Sequence, residues 1–299
     1  MDSRSSKPAG ICPLTVTRGT VLCQDIGEYP DGLIIPVDKP YRWTSADVIR
    51  KIKFAAARYF HKKNLKVGHA GTLDPLATGV LLVCVGKATK LAETLQSHDK
   101  EYVAGITFGA TTPSYDREKD IDRLFPPGHI TENMLRDALA GFIGEQDQVA
   151  PLFSAKSVDG VRAYEIARRM MKEGGAASLD ETASGLIRTS RIRIDSAELL
   201  SFTCGEESCG KSPSVPAEGC PGGRDASSRI NVSDGPGSGF PRAVVRITCS
   251  KGTYIRAFAR DLGEAVGSGA FLDSLQRSRS GDFSIEDALS MDGILSIIS

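Results

Sequence analysis

The 299-residue sequence predicts an α+β fold. Two observations predict it. Short strand-like segments alternate irregularly with segments of helical spacing, and two of the strand-like segments, Ala197 to Phe202 and Arg242 to Thr248, flank a breaker-rich stretch as an antiparallel pair would. The composition, 40% apolar and 25% charged, is that of an ordinary globular protein and excludes collagen-like, wholly disordered and membrane classes. The longest apolar run, Val80 to Val85, is far short of the roughly 20 residues that cross a bilayer, and no charged-then-apolar leader opens the chain. The expected location is therefore the cytoplasm.

Residues 1 to about 28 carry Ser, Pro, Gly and Cys without a sustained period and read as a loosely ordered leader. Leu33 to Val37 reads as a short buried strand, ended at Lys39-Pro40, where the proline holds its predecessor extended. Thr44 with Asp47 three residues on resembles a capping box. Val48, Ile52, Ala56 and Tyr59 then recur at helical spacing, leaving Arg50, Lys51, Lys53 and Arg58 mainly on other faces. Gly68 to Gly79 holds too many breakers for a regular element and reads as a loop before the strand Val80 to Val85. Tyr102 to Phe108 alternates as a strand, and Thr131 caps a helix with Leu135, Leu139 and Phe142 on one face. Ala163, Ile166, Ala167 and Met170 mark a further helix. Between Thr203 and Pro241, Gly, Ser and Pro supply 20 of 39 residues, a composition too poor in apolar surface to offset its ordering entropy, so a disordered insertion is expected there. After Lys251-Gly252-Thr253 helical spacing returns at Ile255, Phe258, Ala259, Leu262 and Val266.

Net charge is zero, but the charges are unevenly placed. From Lys39 to Lys66 there are nine Lys or Arg against one Asp, and a second concentration runs from Lys156 to Arg193. Such runs are often solvated helix faces; together they are also suited to framing a phosphate-lined groove. The seven cysteines form an odd set without repeating spacing and read as free thiols, Cys204, Cys209 and Cys220 lacking the partners a zinc site needs.

The most informative segment runs from Gly68 to Leu81 and contains His69-Ala70-Gly71-Thr72-Leu73-Asp74-Pro75. Pro75 keeps Asp74 extended, and the flanking glycines permit close approach of a substrate, although an isolated Asp-Pro most often only starts a turn. With Lys87-Ala88-Thr89-Lys90, Lys100-Glu101-Tyr102, Phe153-Ser154-Ala155-Lys156, Gly160 to Arg168 and Cys249 to Arg256 following in order, the chain resembles the TruB family of tRNA pseudouridine synthases from about Gly32 to Asp282. The resemblance implies the pseudouridine synthase fold, a mixed, mainly antiparallel β-sheet with flanking helices, and a protein that binds the T-arm stem-loop of tRNA without cofactor or metal; a monomer is the default expectation. The implied reaction isomerises uridine 55 of the TΨC loop, leaving atom count and oxidation state unchanged.

The resemblance assigns the essential carboxylate to Asp74, a charge-assisted partner for it to Arg256, and the aromatic that stacks on the uracil to Tyr102. It gives His69 the space vacated when the target nucleotide leaves its stack, and Lys39, Lys90 and Tyr254 substrate-binding roles. The sequence departs from the family pattern in two places. Thr112-Pro113-Ser114 stands where Thr-Asp-Thr is usual, so an acidic loop contact is missing or moved. Only 43 residues follow Arg256, too few for the C-terminal PUA domain of many members, and a thumb-like insertion near Pro151 to Gly174 is expected to carry more of the RNA grip. Two other readings remain: a non-catalytic tRNA-binding or chaperone protein, and a nucleoside hydrolase, the latter lacking a second carboxylate convincingly paired with Asp74.

Overall fold

The computed structural model describes residues 11–151, 157–158, 161–162, 189–205, 230, 232–233 and 239–299. The chain divides into two compact units, Met1–His98 with Arg277–Ser299, and Asp99–Gln276. In chain order the first holds β1 (Leu14–Thr15), β2 (Leu33–Lys39), α1 (Ser45–Tyr59), β3 (Val67–Ala70), β4 (Ala77–Val85) and α2 (Ala92–Ser97). The second holds β5 (Lys100–Phe108), β6 (Ala110–Thr111), β7 (Arg123–Leu124), α3 (Glu132–Ala140), β8 (Gly144–Val149), β9 (Ser157–Val158), β10 (Val161–Arg162), β11 (Thr189–Thr203), β12 (Arg242–Cys249) and α4 (Ile255–Ala265). Strand β13 (Ala270–Ser280) carries the chain back to the first unit, which closes with β14 (Phe283–Ser284) and α5 (Met291–Ile297).

In the first unit β2 and β3 both run antiparallel to β4, and β1 runs parallel to β2. All six residues from Val80 to Val85 are fully buried, so this strand is apolar on both faces and shows no alternation. Helix α1 buries Val48, Ile52 and Ala56; the two larger side chains each contribute roughly 1.5–3 kcal/mol by leaving water. Its start is the expected capping box, Thr44 accepting from the Asp47 amide while the Asp47 carboxylate accepts from the Thr44 amide. In the second unit β5, β12, β11 and β8 form a consecutive antiparallel run. Beside it Phe142 and Phe258 meet edge to face at 5.1 Å, so α3 and α4 share apolar contacts. The architecture is the α+β arrangement expected, with β1 and β2 parallel and most of the described strand pairs antiparallel.

Two expectations need correction. Residues 11–28 are not a loose leader: β1 pairs with β2, and Val16 and Leu22 are buried, which gives this stretch an apolar anchor that its breaker-rich composition masks. The segment Gly68 to Gly79 is not one loop either. Residues up to Ala70 form β3 and β4 begins at Ala77, because pairing with an already buried strand outweighs the local cost of Gly68. Of the expected thumb, only the antiparallel pair β9 and β10 is described; its helix near Ala163 to Met170 and most of the insertion Thr203 to Pro241 lie outside the described residues.

Candidate active site

The six residues between β3 and β4 carry Asp74, and the two residues beside it are pinned. The Leu73 amide donates to Ser45 Oγ at 3.0 Å, and the same hydroxyl donates back to the Leu73 carbonyl at 3.2 Å, so the first residue of α1 grips the residue before Asp74. The Pro75 carbonyl accepts from the Arg42 amide at 3.0 Å and from Lys39 Nζ at 3.2 Å. Asp74 itself starts a turn, its carbonyl accepting from the Ala77 amide at 3.1 Å, with Pro75 at the turn position its fixed φ suits. The turn and the display of a half-buried carboxylate are thus one feature. A side chain whose neighbours on both sides are fixed loses little further freedom when it meets a reacting centre.

Beneath the loop lie two buried cations. Lys39 is fully buried and donates also to the Pro40 and Trp43 carbonyls. Burial pushes its ammonium down to about 8; the charge of Asp74 works against that shift and Arg277 adds to it. Arg277, 1% exposed, donates to the carbonyls of Val80 at 2.7 Å, Gly71 at 3.0 Å and Thr72 at 3.5 Å, so one planar fork ties the start of the Asp74 loop to β4. Gly79 fits this arrangement because its φ is +97° and a Cβ would sit 2.3 Å from the Arg277 carbonyl oxygen. His69 faces Val83 across the β3–β4 ladder; burial and the charge of Arg277 lower its pKa, and its Nδ1 is buried with no hydrogen-bond partner among the described residues. Lys90 is exposed, in a 3-10 turn spanning Gly86–Leu91.

In the second unit Arg256 lies in the first turn of α4, 5% exposed. Its guanidinium donates to the Ser114 carbonyl at 3.3 Å and stands 3.7 Å from the Asp116 carboxylate. Asp116 is itself organised: Ser114 Oγ donates to it at 2.6 Å and the Glu118 amide at 2.9 Å. Between them Tyr115 takes a left-handed φ of 56°, held by its carbonyl accepting from the Leu272 amide, with the Arg260 guanidinium 5.2 Å from its ring. An acid thus stands beside Arg256 two residues beyond Ser114, at Asp116. Tyr102, on β5 opposite Ile247, is 9% exposed, and Tyr254 precedes α4 with its amide and carbonyl both engaged by the Gln148 side chain.

A family model described as TruB family pseudouridylate synthase (N terminal domain) matches residues 58–178, the stretch containing Asp74 and Tyr102. A tRNA pseudouridine synthase B from Phocaeicola vulgatus is 42% identical over 264 residues, covering 88% of this chain and 92% of that protein. The chain belongs to the TruB family of pseudouridylate synthases. A more distant tRNA pseudouridine synthase B, from Deinococcus radiodurans, is 37% identical over 87% of this chain and 78% of its own length. Among solved structures, a Cbf5-Nop10-Gar1 complex matches with a TM-score of 0.54 at 24% identity, and an H/ACA RNP bound to a substrate RNA containing 2'-deoxyuridine with 0.51 at 22%. Each match covers 88% of this chain, which spans only 53% and 52% of those longer chains; at such identity they share the fold.

Within this TruB-family chain, the first unit places Lys39 against Pro75 and orders His69 on β3 at the entrance to the Asp74 loop, whereas Lys90 has no described tie to that loop. Sequence reasoning missed Ser45, Arg277 and Asp116. Ser45 carried a signal, the residue after an N-cap; Arg277 carried none, because its acceptors are main-chain carbonyls.

Proposed function

We propose that this chain is a tRNA pseudouridine synthase that acts in the cytoplasm as a monomer, grips the T-arm stem-loop and converts uridine 55 of the TΨC loop to pseudouridine. The observation that carries the reading is the Asp74 turn, a carboxylate fixed through Leu73 and Pro75 and underlain by the buried cation Lys39. Such a group attacks C1′ of the ribose or assists proton removal at C2′ as the C1′–N1 bond breaks; the uracil then turns and C5 bonds to C1′. Fixing the carboxylate before substrate arrives lowers the entropic part of that barrier. Arg256 is the guanidinium that orients the charge, itself oriented by Asp116, and Tyr102 stacks on the turned base. His69, neutral through burial, is suited to fill the space left by an extruded nucleotide. Lys90 meets the RNA electrostatically, Lys39 supports the Asp74 loop from beneath through the Pro75 carbonyl, and Tyr254 is a further substrate-binding residue.

Incubating the protein with tRNA tritiated at uridine C5, and in parallel with a tRNA carrying cytidine at position 55, tests the reading. Label release from the first and not at position 55 of the second is expected, since bond formation at C5 must expel that hydrogen. Tight binding of tRNA without any release would overturn the assignment in favour of an RNA-binding protein.

A further inference from the structure

The second half of α1 presents a face that the reaction does not use. Lys51, Phe54 and Arg58 recur at intervals of three and four residues, so they project along one side of the helix. With His61 and Lys63 just beyond its end, they line a groove of about 860 Å³ whose other wall includes Leu295 and Ile298, at and beyond the end of α5. Among the described residues no Asp or Glu lines it, and Ser299 is also in its lining.

Three further observations give this groove a chemistry. Lys51, Arg58 and Lys63 are exposed and none forms an ion pair with a carboxylate among the described residues, whereas Arg50 on the same helix is paired with Asp47 at 2.8 Å and Lys87 with Asp31 at 2.7 Å. Phe54 is 66% exposed in the midst of these cations, with the Arg58 guanidinium 5.8 Å from its ring. An aromatic ring interleaved with unpaired cations is the composition of surfaces that follow a nucleic-acid backbone. Finally, α1 connects the groove to the reactive loop, because its first residue, Ser45, holds Leu73 beside Asp74. At about 1.5 Å per helical residue, Lys51 lies about 9 Å and Arg58 about 20 Å along the axis from that contact.

We infer that this groove binds the sugar-phosphate backbone of the RNA substrate, roughly 10–20 Å along α1 from the reacting uridine, with Lys51, Arg58 and Lys63 as its phosphate ligands. The inference rests on the proposed tRNA substrate and adds a subsite to it. Its effect is on binding: the cations lie too far along α1 to touch the reacting atoms, so they lower Kd and KM and leave the bound complex to react as before.

The test measures tRNA binding by fluorescence anisotropy and label release separately, over a range of salt concentrations. In the triple variant Lys51→Glu, Arg58→Glu, Lys63→Glu, Kd and KM for tRNA should rise at least tenfold, kcat at saturating RNA should stay within about twofold, and the salt slope should fall by about three. The charge-keeping set Lys51→Arg, Arg58→Lys, Lys63→Arg should bind as the parent does. As a control of equal charge, Lys87→Glu, Arg136→Glu, Arg246→Glu reverses cations already paired with Asp31, Glu132 and Glu198, and should cost much less affinity. Equal Kd and slope for the groove variant and the parent, or an equal loss in the control, would overturn the inference. A parent that binds tRNA through this groove yet releases no label would instead overturn the proposed reaction and leave the subsite standing.

Discussion

Replacing Arg277 by Met removes the guanidinium that holds the Asp74 loop to β4 while keeping most of the buried volume. Two of its acceptors, the Val80 carbonyl at 2.7 Å and the Gly71 carbonyl at 3.0 Å, lose a charged donor in a site with no water access, and the third, Thr72 at 3.5 Å, was held weakly. Each orphaned carbonyl costs about 1–3 kcal/mol, or about 2–6 kcal/mol for two, partly offset because a buried charge no longer has to be desolvated. A net loss of about 3 kcal/mol is expected, which at about 2–4 °C per kcal/mol lowers Tm by about 6–12 °C. The freed Gly71-Thr72 backbone also loosens the approach to Asp74, and a misplacement on the order of 1 Å lowers kcat about 100-fold. Thermal denaturation followed by circular dichroism reads the first effect, and single-turnover label release at saturating tRNA reads the second. Arg277→Lys should recover only part of both, since one ammonium cannot span three carbonyls. A Met variant melting within about 2 °C of the parent and keeping kcat within about twofold would refute the bracing role.

Asp116→Asn removes the carboxylate 3.7 Å from the buried Arg256 guanidinium and should destabilise by about 3 kcal/mol while lowering kcat, measured by denaturant titration and label release. Because burial lowers the Lys39 pKa to about 8 from its unfolded 10.5, the unfolded chain binds more protons above pH 8, and this group adds stability as pH rises through that window. Buried Cys84 and Cys249, pushed up to about 11 and about 12, act oppositely above pH 9, so the rise should be visible between pH 8 and 9 as a difference in unfolding free energy between the parent and Lys39→Met. Gly79→Ala should abolish soluble yield, since its Cβ meets a backbone carbonyl at 2.3 Å, whereas Gly144→Ala, at φ +108° with open space, should cost only about 1–2 kcal/mol; expression and melting of both variants check the contrast.

The sequence made much of this legible where the determinant is local. Helix α1 announced itself through Thr44, Asp47 and the spacing of Val48, Ile52 and Ala56, and α3 through Thr131; both helices begin where those caps place them. The Asp74 loop was legible because proline and glycine leave a mark in composition. Less visible were features decided by distant pairing. Strand β3 exists because β4 is there to pair with, not because Val67 to Ala70 favours extension. Arg277 acts on carbonyls as far as 206 positions before it, and any residue supplies a carbonyl, so no pattern of side chains could betray the contact. Asp116 was hidden differently: the expected acid was sought in the Thr112-Pro113-Ser114 segment, and only the left-handed turn at Tyr115 brings the next acid under Arg256.

The central claim is that the Asp74 carboxylate carries the isomerisation, and Asp74→Asn tests it most directly because the amide keeps the size of the side chain and the Leu73 and Pro75 contacts are made by backbone. Label release from C5-tritiated tRNA by enzyme in excess should fall below detection in the variant, while its Tm and tRNA affinity remain near those of the parent. Release by Asp74→Asn at a rate within about tenfold of the parent's would contradict the account and move the chemistry to another group.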